Sequence, residues 1–209
     1  MESTKEFQEE TRRYFDRVAE DYDASYDGRF VRCMYREVVR RAVSLPGDRV
    51  LDLGCGNGNL IRMLREVKQA SCWGADLSSQ MIREAGKNLG DKVNLTVADA
   101  AALPYGDGQF EICNASFHHY TEPERAVEEI RRVLKTGGTL ILGDPTIPGR
   151  LARKLLNQAV HKRDSGDFKI YGKTEITSLF AARGFRVHSW KRINFRSFVF
   201  EAEKVENFD

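Results

Sequence analysis

The stretch Val50-Leu51-Asp52-Leu53-Gly54-Cys55-Gly56-Asn57-Gly58-Asn59-Leu60 constrains the fold more than any other part of the chain. An apolar run with one embedded acid reads as a buried strand. Three glycines at alternate positions follow, and Leu60, Ile61 and Leu64 then open a helical pattern. Strand, glycine turn, helix is the unit by which an open α/β sheet brings a ligand against bare backbone at a strand's carboxyl end. Glycine serves there because it adopts φ > 0 and has no side chain to hold the ligand off.

Gly54, Gly56 and Gly58 give G-x-G-x-G, and Asn59 stands where a dinucleotide fingerprint would have its third glycine. No Lys or Arg lies within the loop, and Asp52 precedes it by two residues. An acid so placed suits a cationic or amine-bearing ligand better than a pyrophosphate. A second apolar segment, Cys72-Trp73-Gly74-Ala75, ends in Asp76. That acid falls at the ~20-residue interval of a ribose-binding carboxylate on the next strand. A carboxylate is charged and acceptor-only, so it suits the two donors of a ribose diol.

Strands and helices then alternate at the period of parallel βαβ units. Strands are expected at 70–75, 93–98, 110–115 and 139–143, with helices at 60–67, 80–88 and 124–134 between them. Ser78-Ser79 reads as an N-cap and Gly90 as a helix stop. Pro123 sits near a first turn, and Gly137-Gly138 turns the chain into the fifth strand. Upstream lie helices at 5–22 and 30–43, with Leu45-Pro46-Gly47-Asp48 leading into the first strand. Downstream, a basic helix near 151–162 is followed by a helix at 174–183, capped by Thr174. Two alternating segments, 185–193 and 195–203, read as strands joined by a tight turn. The organisation is an N-terminal helical lid, 1–45, on a Rossmann-like domain, 46–209.

A net charge of +2 in 209 residues gives no electrostatic case for nucleic acid or a membrane surface. Arg29, Arg32, Arg36, Arg40 and Arg41 read as a solvated helix face. No apolar run reaches the length of a membrane span, and the N-terminus lacks a signal-peptide core. Four widely spaced cysteines, none in a C-x-x-C pair, fit a reducing cytoplasm. No metal-ligand spacing appears. Gly172-Lys173-Thr174 mimics the end of a P-loop, but Asp167 occupies the required upstream glycine position. A nicotinamide-dependent oxidoreductase shares the glycine loop and Asp76, but no Tyr-x-x-x-Lys couple exists to support it.

Val50 to Leu60 resembles motif I of class I S-adenosylmethionine-dependent methyltransferases, in particular the small-molecule branch that makes ubiquinone and menaquinone. The resemblance extends over about residues 11–145, through Phe15-Asp16-Arg17-Val18-Ala19-Glu20-Asp21-Tyr22-Asp23 and Asp99-Ala100-Ala101-Ala102-Leu103-Pro104-Tyr105. It implies a doubly wound seven-stranded sheet of order 3-2-1-4-5-7-6 with strand 7 antiparallel. It also implies S-adenosylmethionine as cofactor, a small-molecule acceptor, and methyl transfer as the activity, or a non-catalytic member that only binds the cofactor. The residues it places on the cofactor are Asp52, Gly54, Cys55 and Gly56 at the loop, Asp76 and Leu77 at the ribose, and Met81 and Asp99 with Ala100 at the adenine. Asn114 and Ala115 border the methionine end, and Tyr22 comes from the lid. The acceptor pocket would draw on Tyr22, Tyr26, the 118–120 loop and residues 144–170. His118 and His119 are candidates for a general base or for pocket lining. His161 and His188 read as structural. Oligomeric state is not readable.

Overall fold

The computed structural model describes residues 4–160 and 166–206. His161, Lys162, Asp164 and Ser165 lie outside the described residues. A single seven-stranded sheet runs β3-β2-β1-β4-β5-β7-β6. Its strands are β1 Arg49–Leu53, β2 Ser71–Asp76, β3 Asn94–Val97, β4 Phe110–Ala115, β5 Leu134–Pro145, β6 Phe185–Asn194 and β7 Ser197–Lys204. Strands β1 to β5 pair in parallel, and β7 is antiparallel to both β5 and β6. The helices are α1 Thr4–Val18, α2 Tyr26–Ser44, α3 Asn59–Val67, α4 Ser79–Leu89, α5 Pro123–Val133, α6 Arg150–Val160 and α7 Lys173–Ala181. Both the strand order and the lone reversal of β7 match the expected topology.

The sheet carries a hydrophobic layer on each face, as parallel strands require. On one face Met34, Val38 and Ala42 of α2 pack with Leu60, Ile61 and Leu64 of α3 over Val50, Ile141 and Val199. On the other, Val127 and Ile130 of α5 and Ile176 and Phe180 of α7 cover Leu51, Phe110, Leu140, Phe198 and Phe200. Helix α2 belongs to the first of these cores.

Several local expectations shift. Helix α1 ends at Val18 rather than 22, and Tyr22–Ala24 forms a separate 3-10 turn. Helix α2 begins at Tyr26 because the Ser25 hydroxyl accepts the Gly28 N–H, an N-cap that relieves an orphan donor. Strand β5 runs through Gly137-Gly138, which forms a bulge opposite Phe110 and Ile112 instead of a turn before the strand. Thr174 does not cap α7; Gly172 holds that position with no side-chain bond. Arg41 is not solvated: it is buried and paired with Glu37 and Glu201. Arg40's hydrogen bond draws the Glu37 carboxyl down to about 2 against the cost of burial, with help from Lys191 and Arg41. Cys55, Cys72 and Cys113 are buried and Cys33 is exposed. Among the described residues no helix is long and apolar enough to cross a membrane.

Candidate functional site

The strand order reverses between β1 and β4, where an open α/β sheet leaves a crevice at its carboxyl edge. A cleft opens there, lined by α1, the glycine turn, the ends of β1, β2 and β3 and the loop after β4. Gly54, Gly56 and Gly58 all hold positive φ (77°, 53° and 84°), so the turn needs glycine at each. The Gly54 and Cys55 N–H groups both donate to the Ala75 carbonyl, at 2.7 and 3.0 Å, fastening the loop to the end of β2. Asp76 receives the Gly56 N–H at 2.8 Å and the Ser78 N–H at 2.9 Å, one on each oxygen. A carboxylate has about four acceptor positions, so Asp76 keeps capacity to accept from a further donor such as a ribose hydroxyl. Burial is the main cause that lifts the Asp76 carboxyl to about 6 and that of Asp52 to about 7.

Tyr22, Gly54, Gly56, Asp76, Leu77, Met81, Asp99 and Ala100 line the cleft together. Asp52, Cys55, Asn114 and Ala115 do not. The Asn114 amide donates to Asp52 at 2.7 Å, and the two line a small apolar recess under α2 and α3. Cys55 and Ala115 are buried in the two hydrophobic layers. Tyr26 is 60% exposed and lies off the cleft.

Helix α1 closes the cleft from above. The Gln8 amide donates to Asp99 at 2.6 Å, and Asp16 accepts from the Ser78 hydroxyl at 2.7 Å and the Gln80 N–H at 3.3 Å. Asp16 thus sits at the N-terminus of α4, where the exposed N–H groups favour an anion. In the adjoining 3-10 turn, Asp23 accepts from Asn59 at 2.6 Å and Asn57 at 3.1 Å, tying the lid to the glycine turn.

The far end of the cleft is walled by His118 and His119. Asp144, fully buried at the end of β5, accepts from the Phe117 N–H at 3.0 Å and meets His118 Nδ1 at 2.7 Å. Burial opposes a charge on His118, but Asp144, Asp167 and Asp27 together outweigh it and raise its pKa. Burial and the neighbouring His118 ring lower that of His119. The Phe168 and Lys169 N–H groups both donate to the His118 carbonyl at 2.9 Å. That clamp brings Asp167 to 3.4 Å from His118 Nε2 and 3.8 Å from His119 Nδ1. Phe15 of the lid packs edge-on against His119, with centroids 4.9 Å apart. His188 lies elsewhere, bonded to Glu203 at 2.7 Å.

Gln8 and Asp16 are polar residues of this site that sequence reading missed, and Asp144 and Asp167 fall in the 144–170 segment expected at the acceptor pocket without being singled out in it. Each arrives from a distant segment, and no local pattern marks it. The one available signal was the helical spacing of α1, which puts Gln8, Thr11 and Phe15 on one face.

A family model described as a methyltransferase domain matches residues 51–142. An uncharacterized methyltransferase of Geobacillus sp. (strain WCH70) is 28% identical over 203 residues, 92% of each chain. The demethylmenaquinone methyltransferase of Thermotoga maritima is 33% identical over 140 residues, 62% of this chain and 59% of that one. A putative methyltransferase of Haloferax volcanii, solved with the Trm112 methyltransferase activator, has the same fold. Its TM-score is 0.82 at 21% identity, over 95% of this chain and 99% of that one. The chain spans about half the length of most curated relatives it matches, 42% to 59%. Motif, strand order and family match agree, and the nicotinamide alternative has no such support: residues 51–142 carry a methyltransferase domain of the class I S-adenosylmethionine-dependent type.

Proposed function

We propose that this chain transfers the methyl group of S-adenosylmethionine to a small-molecule acceptor. The observation that carries this reading is the convergence of Asp76, Asp99 and bare glycine backbone on one lidded cleft. When bound, S-adenosylmethionine supplies an electrophilic methyl group on a sulfonium. Asp76 accepts the ribose hydroxyls, Asp99 the adenine amine, and Met81 packs on the adenine. Tyr22 covers the glycine turn: a Cβ added at Gly56 would meet its ring at 3.9 Å. The protein's main contribution is to align the acceptor with the methyl carbon and keep water out, an effect worth up to ~7–11 kcal/mol.

His118 and His119 belong to the acceptor in this reading, because they wall the end of the cleft away from Asp99. Several relatives support a small acceptor by name, among them the Thermotoga demethylmenaquinone enzyme. The enclosed cleft, roofed by α1, also favours a small molecule over a polymer.

Incubation with methyl-labelled S-adenosylmethionine and a size-fractionated cell extract tests this reading. Label should pass to the low-molecular-weight fraction and be lost with Asp76→Ala. Label confined to protein or nucleic acid would contradict a small acceptor. Label transferred nowhere, with cofactor still bound, would favour a non-catalytic member.

A further inference from the structure

His118, His119 and Asp167 each offer one ligand atom, and all three atoms lie within 4.8 Å of one another. We propose that these side chains bind a divalent transition-metal cation of the zinc class at the acceptor end of the cleft, with Asp144 as the carboxylate behind His118. Spacing is the first argument. Ligands held tetrahedrally at about 2.0–2.2 Å from zinc stand about 3.4 Å apart. His118 Nε2 and Asp167 Oδ1 are 3.4 Å apart, and His119 Nδ1 lies 3.8 Å from the same oxygen. The two imidazole nitrogens lie within 4.8 Å of each other, so the rings draw together on the cation while Asp167 needs only a few tenths of an ångström.

The second argument is the support around the ligands. A metal-binding imidazole commonly donates its other N–H to a carboxylate, which fixes the tautomer and aims the free lone pair. Asp144 does this for His118 at 2.7 Å, and is itself anchored by the Phe117 N–H. Asp167 is held in place by the two N–H groups that follow it, both bonded to the His118 carbonyl. His119 Nδ1 lies 2.8 Å from the Gly166 carbonyl. On metal binding the ring changes tautomer: the cation replaces the Nδ1 proton and Nε2 takes one from solvent, so the imidazole stays neutral.

The donor set gives the class of cation. Two imidazoles and a carboxylate select zinc, cobalt, nickel or iron over magnesium and calcium, which prefer all-oxygen shells. Three protein ligands leave a position open, as in catalytic rather than structural zinc sites. That position faces the cleft, where an acceptor's oxygen or sulfur would lie. This role for the metal rests on the methyl-transfer reading; the metal site itself does not.

Titration of the untagged, chelator-stripped chain with Co²⁺, followed by visible ligand-field absorption, tests the proposal together with Zn²⁺ calorimetry. One equivalent should bind, with no sulfur charge-transfer band from the cysteines. Asp167→Asn and His119→Ala should each weaken binding ~10-fold or more, and Asp144→Asn by ~10–100-fold. Thermal melts establish which variants fold, and the wild-type titration stands without any of them. Absence of a Co²⁺ band and of Zn²⁺ heat in the wild-type chain would overturn the proposal. So would one equivalent bound equally well by folded Asp167→Asn. Either result leaves cofactor binding, which is measured separately, untouched.

Discussion

In the half of the cleft assigned to the cofactor under the methyl-transfer proposal, the lining groups come from strand ends and the turn just behind each. In the half assigned to the acceptor under the same proposal they come from α1, the loop after β4, the end of β5 and the loop at Asp167 about twenty residues further on. The first half is held by backbone: Gly54 and Cys55 to Ala75, Gly56 and Ser78 to Asp76. The second is held by one long-range backbone clamp, Phe168 and Lys169 on the His118 carbonyl, together with packing and single side chains such as Asp144. A strand end can present a carboxylate with only its own turn to support it. A pair of histidines set against an acid from another segment needs the whole domain folded first.

The largest effect expected from this contrast is on stability. Phe117 seats the histidine loop on the aromatic core, its ring 5.2–5.4 Å from Tyr120, Phe180 and Tyr171. Phe117→Ala should cost ~3–5 kcal/mol in denaturant unfolding. Cofactor affinity of the folded fraction should nevertheless stay within about threefold. A large loss of affinity would show that the halves are not separate.

Next comes Asp76→Ala, which removes a charged acceptor facing two donors. S-adenosylhomocysteine should bind more weakly by ~2–3 kcal/mol, while Asp167→Asn leaves its affinity nearly unchanged. Equal effects at the two sites would break the comparison.

A smaller, pH-dependent effect follows from the raised acids. Burial holds Asp52 near 7 and Asp76 near 6, and Asp16 adds to the latter shift. An acid raised on folding binds its proton more tightly folded than unfolded. Its contribution to stability therefore falls as pH rises from about 4 to its folded value, and is constant above that. The cofactor-free chain should lose stability between about pH 4 and 7 on this account. Ligand that engages ionised Asp76 should bind better as pH rises through about 6, with affinity at pH 5 ~10-fold below its plateau. Asp76→Asn should flatten that profile.

Smallest of all is the effect of the lid. Gln8 donates to the oxygen of Asp99 that would receive the adenine amine. Gln8→Ala should tighten cofactor binding by ~0.5–1.5 kcal/mol, by removing an internal competitor. Weaker binding would mean that Gln8 contacts the cofactor itself.

The same contrast explains what the sequence disclosed. Alternating strands and helices, the glycine turn, Asp76, and the reversal at the last strand could be read because each depends on neighbours in the chain. Ser78 as an N-cap is of this kind, and its hydroxyl does accept the Met81 N–H at 3.0 Å. Asp52 and Asn114 were harder, because alternation along a strand decides which face a residue takes, and they turn to the face opposite the cleft. Arg41 looked like one more surface cation; only β6 and β7, folded back more than a hundred residues later, bury it. The 144–170 segment was assigned to the acceptor pocket, but nothing local marked Asp144 and Asp167 within it. An Asp-Pro and a Gly-Asp in loop-rich sequence read as turns until the sheet brings them to the histidines.

Calorimetric titration of S-adenosylhomocysteine into the wild-type chain tests the central claim most directly. One site per chain, lost or strongly weakened with Asp76→Ala, is the result predicted. No binding to folded protein, or saturable binding of a nicotinamide dinucleotide in its place, would contradict it.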